Sequence, residues 1–274
     1  VFLYGAGLYR LLGGKTPVAG YFNRELTAWG GNVSEFFNNK DISFYKRLKK
    51  QARFYFERYL LMPLTSYIDI IGFANSCLME NYKKFGMKTD KRCFIYGDPF
   101  DYRGLMKKHN IQEDSYRKRN KTHGPFTIFY SSKMFPGKGF DLLLVAFSKL
   151  KNKDNFHLVL GGDGPEEQLV HKMVHDLHLE PYVELPGWMT KEELYRRYSE
   201  ADMFIQARWR NDLTSMSLMT AILFGLPSIL PGGGGLEWLA QKCALYFKDN
   251  DTDDLARKIE QLANGYQLRG QLSR

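Results

Sequence analysis

The sequence predicts an α/β protein whose second half is a doubly wound parallel sheet, and three observations carry that prediction. Short apolar runs alternate with helix-length segments through residues 126–263. The runs are apolar throughout, without strict alternation, as expected of strands covered on both faces. Several of them end in glycine-rich turns that lead into the next helix. With 274 residues, 44% of them hydrophobic, the chain is long enough for two domains and too apolar for wholesale disorder.

In chain order, TPVAGYF (16–22), DIIGFA (69–74) and RCFIYG (92–97) are strand-like. Between the first two lies a long basic and aromatic helix candidate, DISFYKRLKKQARFYFERYLL (41–61). About three strands are few for an independent doubly wound domain, and the chain opens on Val1 within a helix-like run. The first domain, 1–122, is therefore expected to be incomplete at its N-terminus. The polar stretch DSYRKRNKTHGPF (114–126) is the expected seam and opens a second domain, 123–274.

The second half then alternates regularly. Strands are expected at 126–131, 157–162, 182–187, 203–207, 227–231 and 244–247, and helices at 140–150, 166–179, 191–201, 217–225 and 251–263. The run PGGGG (231–235) is expected to be loop.

Composition narrows the function classes. Cys77, Cys93 and Cys243 form no CxxC pair, which argues against a disulfide framework and fits a reducing, cytoplasmic compartment. The longest uncharged stretch, Leu213 to Leu236, holds Pro227, Pro231 and four consecutive glycines and is not expected to span a membrane. No basic leader marks a signal peptide. Residues 1–121 carry 22 Lys/Arg against 11 Asp/Glu, and residues 122–274 carry 17 against 19. The net charge of +9 thus sits in the first half, which favours anionic partners. No RNA- or DNA-reading motif is present, so nucleic acid is not expected among them.

Ligands of open α/β sheets bind beyond the carboxyl ends of the strands. Four such loops are candidates. Ser131–Gly139 holds Lys133 and Lys138, which could converge on one anion such as a diphosphate. A solvated turn with two surface lysines fits the same residues. The turn around Gly162 and Gly164 permits close backbone approach to a ligand, or is simply a turn. Gly233, Gly234 and Gly235, followed by Glu237, could present N–H groups to phosphate or sugar. Residues 208–215, including Asp212, with Thr220 beyond, could contact sugar hydroxyls or form a charged surface loop. His171 and His175 lack a third ligand, and Asp249–Asp253 suits helix capping, so no metal site is expected.

In order and spacing, these segments resemble the donor domain of the retaining glycosyltransferases of GT-B fold, the family-four "group 1" glycosyltransferases. Lys133-x4-Lys138-Gly139 is similar to the family's Arg-x4-Lys and glycine. Gly162-Asp163-Gly164-Pro165 resembles its GxGP turn, and Val183 to Phe204 its VxxxGW/F, helix and strand run. Thr220 to Ile229 resembles EAmAxGxPVI, and Asp69 to Ser76 the upstream aDxiixxS strand. The match covers about residues 126–263, with fainter support from 56–102.

The resemblance implies two Rossmann-like domains and transfer of a sugar, with retention of configuration, from a UDP- or GDP-linked donor to a glycan or lipid-linked acceptor. It implies that Lys133 and Lys138 hold the diphosphate and offset leaving-group charge, with no metal or other cofactor. Asp212 would be the first acid of the family's Glu-x7-Glu motif, and Gly162, Gly164, Thr220 and Gly233–Gly235 would line the donor. Three positions depart from the pattern: Lys133 replaces arginine, Thr220 the second glutamate, and Asn23 the acceptor-side histidine. They leave open an alternative, a catalytically weak GT-B-like subunit that binds a glycan or supports a partner enzyme. Segment 41–61 could lie on an anionic membrane at the cytoplasmic face, which would suit a lipid-linked acceptor, or pack on the first domain with a solvated basic face.

Overall fold

The computed structural model describes residues 2–22, 44–97, 99–112, 124–208 and 214–273. By its contacts the chain forms two units, the first running to Pro99 and the second starting at Phe100. The seam expected at 122/123 lies outside the described residues.

The first unit contains α1 (Phe2–Leu11), β1 (Ala19–Phe22), α2 (Phe44–Phe56), β2 (Ile70–Phe73), α3 (Ser76–Lys84) and β3 (Cys93–Ile95). Its three strands pair in parallel in the order β1-β2-β3, with Phe22 opposite Phe73 and Phe73 opposite Ile95. Phe22, Ile71 and Phe73 are buried with Met62, Leu78, Tyr82 and Phe85. Asp69 fixes the entry to this sheet. Its carboxylate accepts the Val18 N–H at 2.8 Å and pairs with Arg10 at 2.9 Å. Those contacts, the Val18 N–H first, hold the carboxyl below its ordinary pKa. The helix expected over 41–61 is regular only through Phe56. A wider π turn, Glu57–Leu61, and a 3₁₀ turn, Met62–Tyr67, follow it, with Pro63 entering the second. Asn75 caps α3 by accepting the Leu78 N–H at 2.8 Å.

The second unit opens with α4 (Tyr102–Lys108), whose C-terminal His109 stacks edge-on against Tyr195 at 4.7 Å. Then follow β4 (Phe126–Ser131), α5 (Phe140–Ser148), β5 (Phe156–Gly161), α6 (Glu167–Asp176), β6 (Val183–Gly187), α7 (Lys191–Glu200) and β7 (Met203–Ile205). The unit closes with α8 (Met216–Leu223), β8 (Ser228–Pro231), α9 (Gly234–Ala240), β9 (Ala244–Phe247), α10 (Thr252–Asn264) and α11 (Tyr266–Leu272). Each predicted strand and helix of this half is present within a few residues. All six strands are parallel, in the order β6-β5-β4-β7-β8-β9. Helices cover both faces, and Phe129, Leu143, Leu160, Tyr198, Phe204, Ile229 and Ile259 are almost wholly buried among them.

The expectation of loop through 231–235 needs one correction. Gly234 and Gly235 form the first turn of α9, and Gly233 is its cap at φ +93°. The Glu237 carboxylate accepts the Gly233 N–H at 2.5 Å, and Leu236 is buried, so capping and burial outweigh the entropy cost of the glycines.

Candidate functional site on the second sheet

Strand order fixes where a ligand can bind. From β4 the chain winds outward through β5 to β6, then returns to start at β7 and winds the other way through β8 to β9. The carboxyl ends of β4 and β7, hydrogen-bonded neighbours, therefore flank the switch point of the sheet, where adjacent loops diverge and leave a crevice.

The loop after β4 carries Lys133 and Lys138, and it is stitched to the turn after β5. The Ser132 N–H donates to the Gly161 carbonyl at 3.1 Å and the Met134 N–H to Asp163 at 2.6 Å. The Glu166 N–H returns a bond to Met134 at 2.9 Å. Met134 is buried while Lys133 beside it is exposed, so the backbone is anchored under a cation that faces outward. Gly162 and Gly164 make the contact possible. Both have positive φ (+116° and +147°), and a Cβ on Gly162 would overlap the Ser132 carbonyl oxygen. Lys138 is half-buried just before α5, and its carbonyl accepts the buried Tyr130 hydroxyl at 3.1 Å. Burial raises the pKa of that phenol, so it stays a neutral donor. The structure thus brings Lys133, Lys138, Gly162 and Gly164 onto two joined loops.

The start of α8 is tied to the same strand end. The Ser217 hydroxyl donates to the Ser131 carbonyl at 2.9 Å, and the buried Tyr198 hydroxyl donates to Ser217 at 3.0 Å. Ser215 caps the helix by accepting the Leu218 N–H at 3.3 Å. Thr220 lies one turn further along, buried, with its hydroxyl donating to the Met216 carbonyl at 2.9 Å. Arg208, just beyond β7, pairs with Asp141 in the first turn of α5 at 3.2 Å and donates to Asn250 at 3.0 Å. Gly139, the cap of α5, packs so closely on the Arg208 backbone that a Cβ there would meet it at 2.5 Å. Asp212 and Asn23 lie outside the described residues.

Gly233–Gly235 follow β8, one strand beyond β7, and no described contact joins them to the lysine loop. The Gly233 N–H is already bonded to Glu237.

Three supporting groups escaped the sequence reading. Ser217, Tyr130 and Tyr198 have no motif, because their hydroxyls act on backbone carbonyls that only the folded sheet brings near. Gln206 did leave a signal, as the polar member of MFIQA. It is fully buried at the end of β7 with neither amide atom hydrogen-bonded. His171 and His175 are exposed, and among the described residues no three His, Cys, Asp or Glu cluster as metal ligands do.

Comparison with known proteins agrees with this architecture. The family described as "Glycosyl transferases group 1" matches residues 111–274, more than half of the chain. Mannosylfructose-phosphate synthase of Agrobacterium fabrum is 30% identical over 148 residues, 50% of this chain and 32% of that protein. Alpha-monoglucosyldiacylglycerol synthase of Streptococcus pneumoniae is 28% identical over 201 residues, 71% of this chain and 45% of that protein. The chain thus spans less than half the length of either relative. HepE of Anabaena, solved in complex with UDP, superposes with a TM-score of 0.71 at 13% identity, over 99% of this chain and 69% of that one. The fold is therefore that of the GT-B glycosyltransferases, with Rossmann-like parallel sheets, and the chain belongs to the group 1 glycosyl transferases.

Proposed function

We propose that the protein is a glycosyltransferase that moves a sugar from a UDP- or GDP-linked donor to a glycan or lipid-linked acceptor, retaining configuration and using no metal. One observation carries this reading: two lysines on a rigid loop at the switch point, backed by the Gly162–Gly164 turn. Such a loop is suited to a diphosphate, whose charge grows as the bond to the sugar breaks. Lys133 and Lys138 would offset that charge, and the α8 N-terminus, tied to Ser131 by Ser217, would add oriented N–H groups. The sugar C1–phosphate oxygen bond breaks while the acceptor oxygen bonds C1 from the same face, and a donor phosphate oxygen takes the acceptor proton. Asp212 and Gly233–Gly235 belong to the proposed sugar side of the site. The relative from Streptococcus pneumoniae, an alpha-monoglucosyldiacylglycerol synthase, supports the lipid-linked acceptor class. A lipid-linked acceptor would place segment 41–61 against the cytoplasmic face of a membrane.

Thr220 favours a second reading, the catalytically weak subunit. Its short hydroxyl is buried and committed to Met216, where the family pattern has a carboxylate. Nucleotide release from UDP- and GDP-sugars, followed with and without EDTA and with NMR of the product anomer, separates the two. The enzyme reading expects release that persists in EDTA and a retained anomer. An inverted product or loss in EDTA contradicts the corresponding part, and nucleotide binding without turnover favours the subunit.

A further inference from the structure

The amino ends of β4 and β5 border a pocket of about 420 Å³ on the second unit, a volume within the range of small-ligand sites. It lies at the end of the sheet opposite the lysine loop, about 17 Å away along the six residues of β4. Phe126 and Phe156, the first residues of the two strands, line its apolar part with their rings edge to face at 6.4 Å. The side-chain amides of Asn152, Asn155 and Asn264 line the polar part, from the turn before β5 and the end of α10. All three residues are exposed, and none of these amides is committed to another group among the described residues. The walls are held in place without a ligand. The Glu260 carboxylate accepts the Lys151 N–H at 3.2 Å, and Lys149 pairs with Asp253 at 2.8 Å, which ties α10 to the end of α5. Beside the pocket, the Arg269 guanidinium lies over the Phe126 ring at 5.1 Å and over the Tyr266 ring at 5.8 Å. It also donates to the Leu262 carbonyl at 2.9 Å, so this cation is committed, whereas Tyr266 is 79% exposed.

We propose that this pocket is a second, non-catalytic site that holds a neutral hexose unit of a glycan. The inference goes beyond the donor site and rests on the glycosyltransferase reading for its purpose, though not for its geometry. A pyranose presents C–H faces to aromatic rings and hydroxyls around its edge, and the pocket is built in the same two parts. Each asparagine amide both donates and accepts, as each sugar hydroxyl does. Glu260 keeps a second carboxylate oxygen for a charge-assisted bond. Tyr266 extends the aromatic surface toward the next sugar of the chain. Charge selects the ligand class. Lys151 and Glu260 offset each other in the lining and Arg269 is committed, so nothing here gathers a phosphate or a uronate. A glycan anchored at this pocket stays tethered to the enzyme between transfers, which raises the effective concentration of its reacting end.

Saturation-transfer NMR of the full chain with maltotriose, cellotriose and mannotriose tests the proposal, with a glucuronic acid disaccharide as the anionic control. UDP and GDP binding is measured on the same samples. The expected result is transfer to at least one neutral trisaccharide and none to the uronate. Asn152→Ala with Asn264→Ala weakens trisaccharide binding by about tenfold. Tyr266→Ala weakens it by about three- to tenfold. Both variants keep the wild-type melting temperature, because these side chains are exposed, and both keep the wild-type nucleotide affinity. Lys133→Ala, at the opposite end of the sheet, keeps its trisaccharide binding. No transfer to any trisaccharide, equal binding of the uronate, or unchanged trisaccharide affinity in both pocket variants overturns the proposal. So does loss of trisaccharide binding in Lys133→Ala, which would put the sugar at the donor loop. Trisaccharide binding without nucleotide binding contradicts the donor-site reading alone, and the converse contradicts the glycan pocket alone.

Discussion

Gly162 and Gln206 are where single atoms decide most in the second unit. At Gly162 the backbone runs at φ +116° with the Ser132 carbonyl in the place of a side chain. Gly162→Ala must both strain the backbone and push the lysine loop away from β5, at a cost of about 2–4 kcal/mol. Equilibrium unfolding in urea measures it, and a variant as stable as wild type would mean the two loops are not in contact. Gln206 carries the opposite penalty. A fully buried amide with no hydrogen-bond partner costs free energy, so Gln206→Leu should raise stability by about 1–3 kcal/mol. A lower melting temperature would show that the amide has a partner in solution. Of the site, Lys133, Lys138, Gly162 and Gly164 were legible because cation and glycine chemistry leaves a mark in sequence. The hydroxyls of Ser217, Tyr130 and Tyr198 left none, since their partners are carbonyls that the fold brings near, on β4, in the loop before α5 and in α8.

At the scale of elements, what sequence could show depended on how a segment is stabilised. β4 and β9 were placed to the residue because an apolar run flanked by polar residues has no other way to bury itself. The start of α9 was missed because four glycines argue for loop by propensity, and the capping bond from Glu237 is a local contact that composition does not reveal. The helix α3 of the first unit and α4 at the start of the second were unread, being short and held by caps from Asn75 and Asp101 more than by periodicity. Capping also sets a pH dependence. Asp251 caps α10, and Asp254 accepts the Lys248 N–H at 2.8 Å beside Arg257. The Lys248 N–H, then Arg257, hold the Asp254 carboxyl below its ordinary value. A carboxyl lowered in the folded state stabilises above its unfolded pKa, and that contribution is lost as pH falls through the folded value. Asp254→Asn should therefore lower the urea midpoint near neutral pH, with the difference from wild type shrinking as pH falls below about 4. A difference that grows on acidification would contradict the assignment.

On the scale of the whole molecule, the two units differ in how completely each specifies itself. The second buries forty apolar residues around six strands, and the first buries eleven around three, among the described residues. That contrast explains why alternation of strand and helix was plain after residue 126 and faint before it: a sheet covered on both faces imprints its period on every element. It also places the charge. The net positive charge sits in the basic first half, and the near-neutral half presents two lysines at a switch point. The central claim is that those lysines hold a nucleotide diphosphate. Calorimetric titration of the intact protein with UDP and GDP, repeated on Lys133→Ala and Lys138→Ala, tests it most directly. The account predicts that one of the two nucleotides binds the wild type, stabilises it by about 2.7 kcal/mol at 100 times its dissociation constant, and binds each variant at least tenfold more weakly. Equal affinity in wild type and both variants, or no binding of either nucleotide to folded wild-type protein, would contradict it.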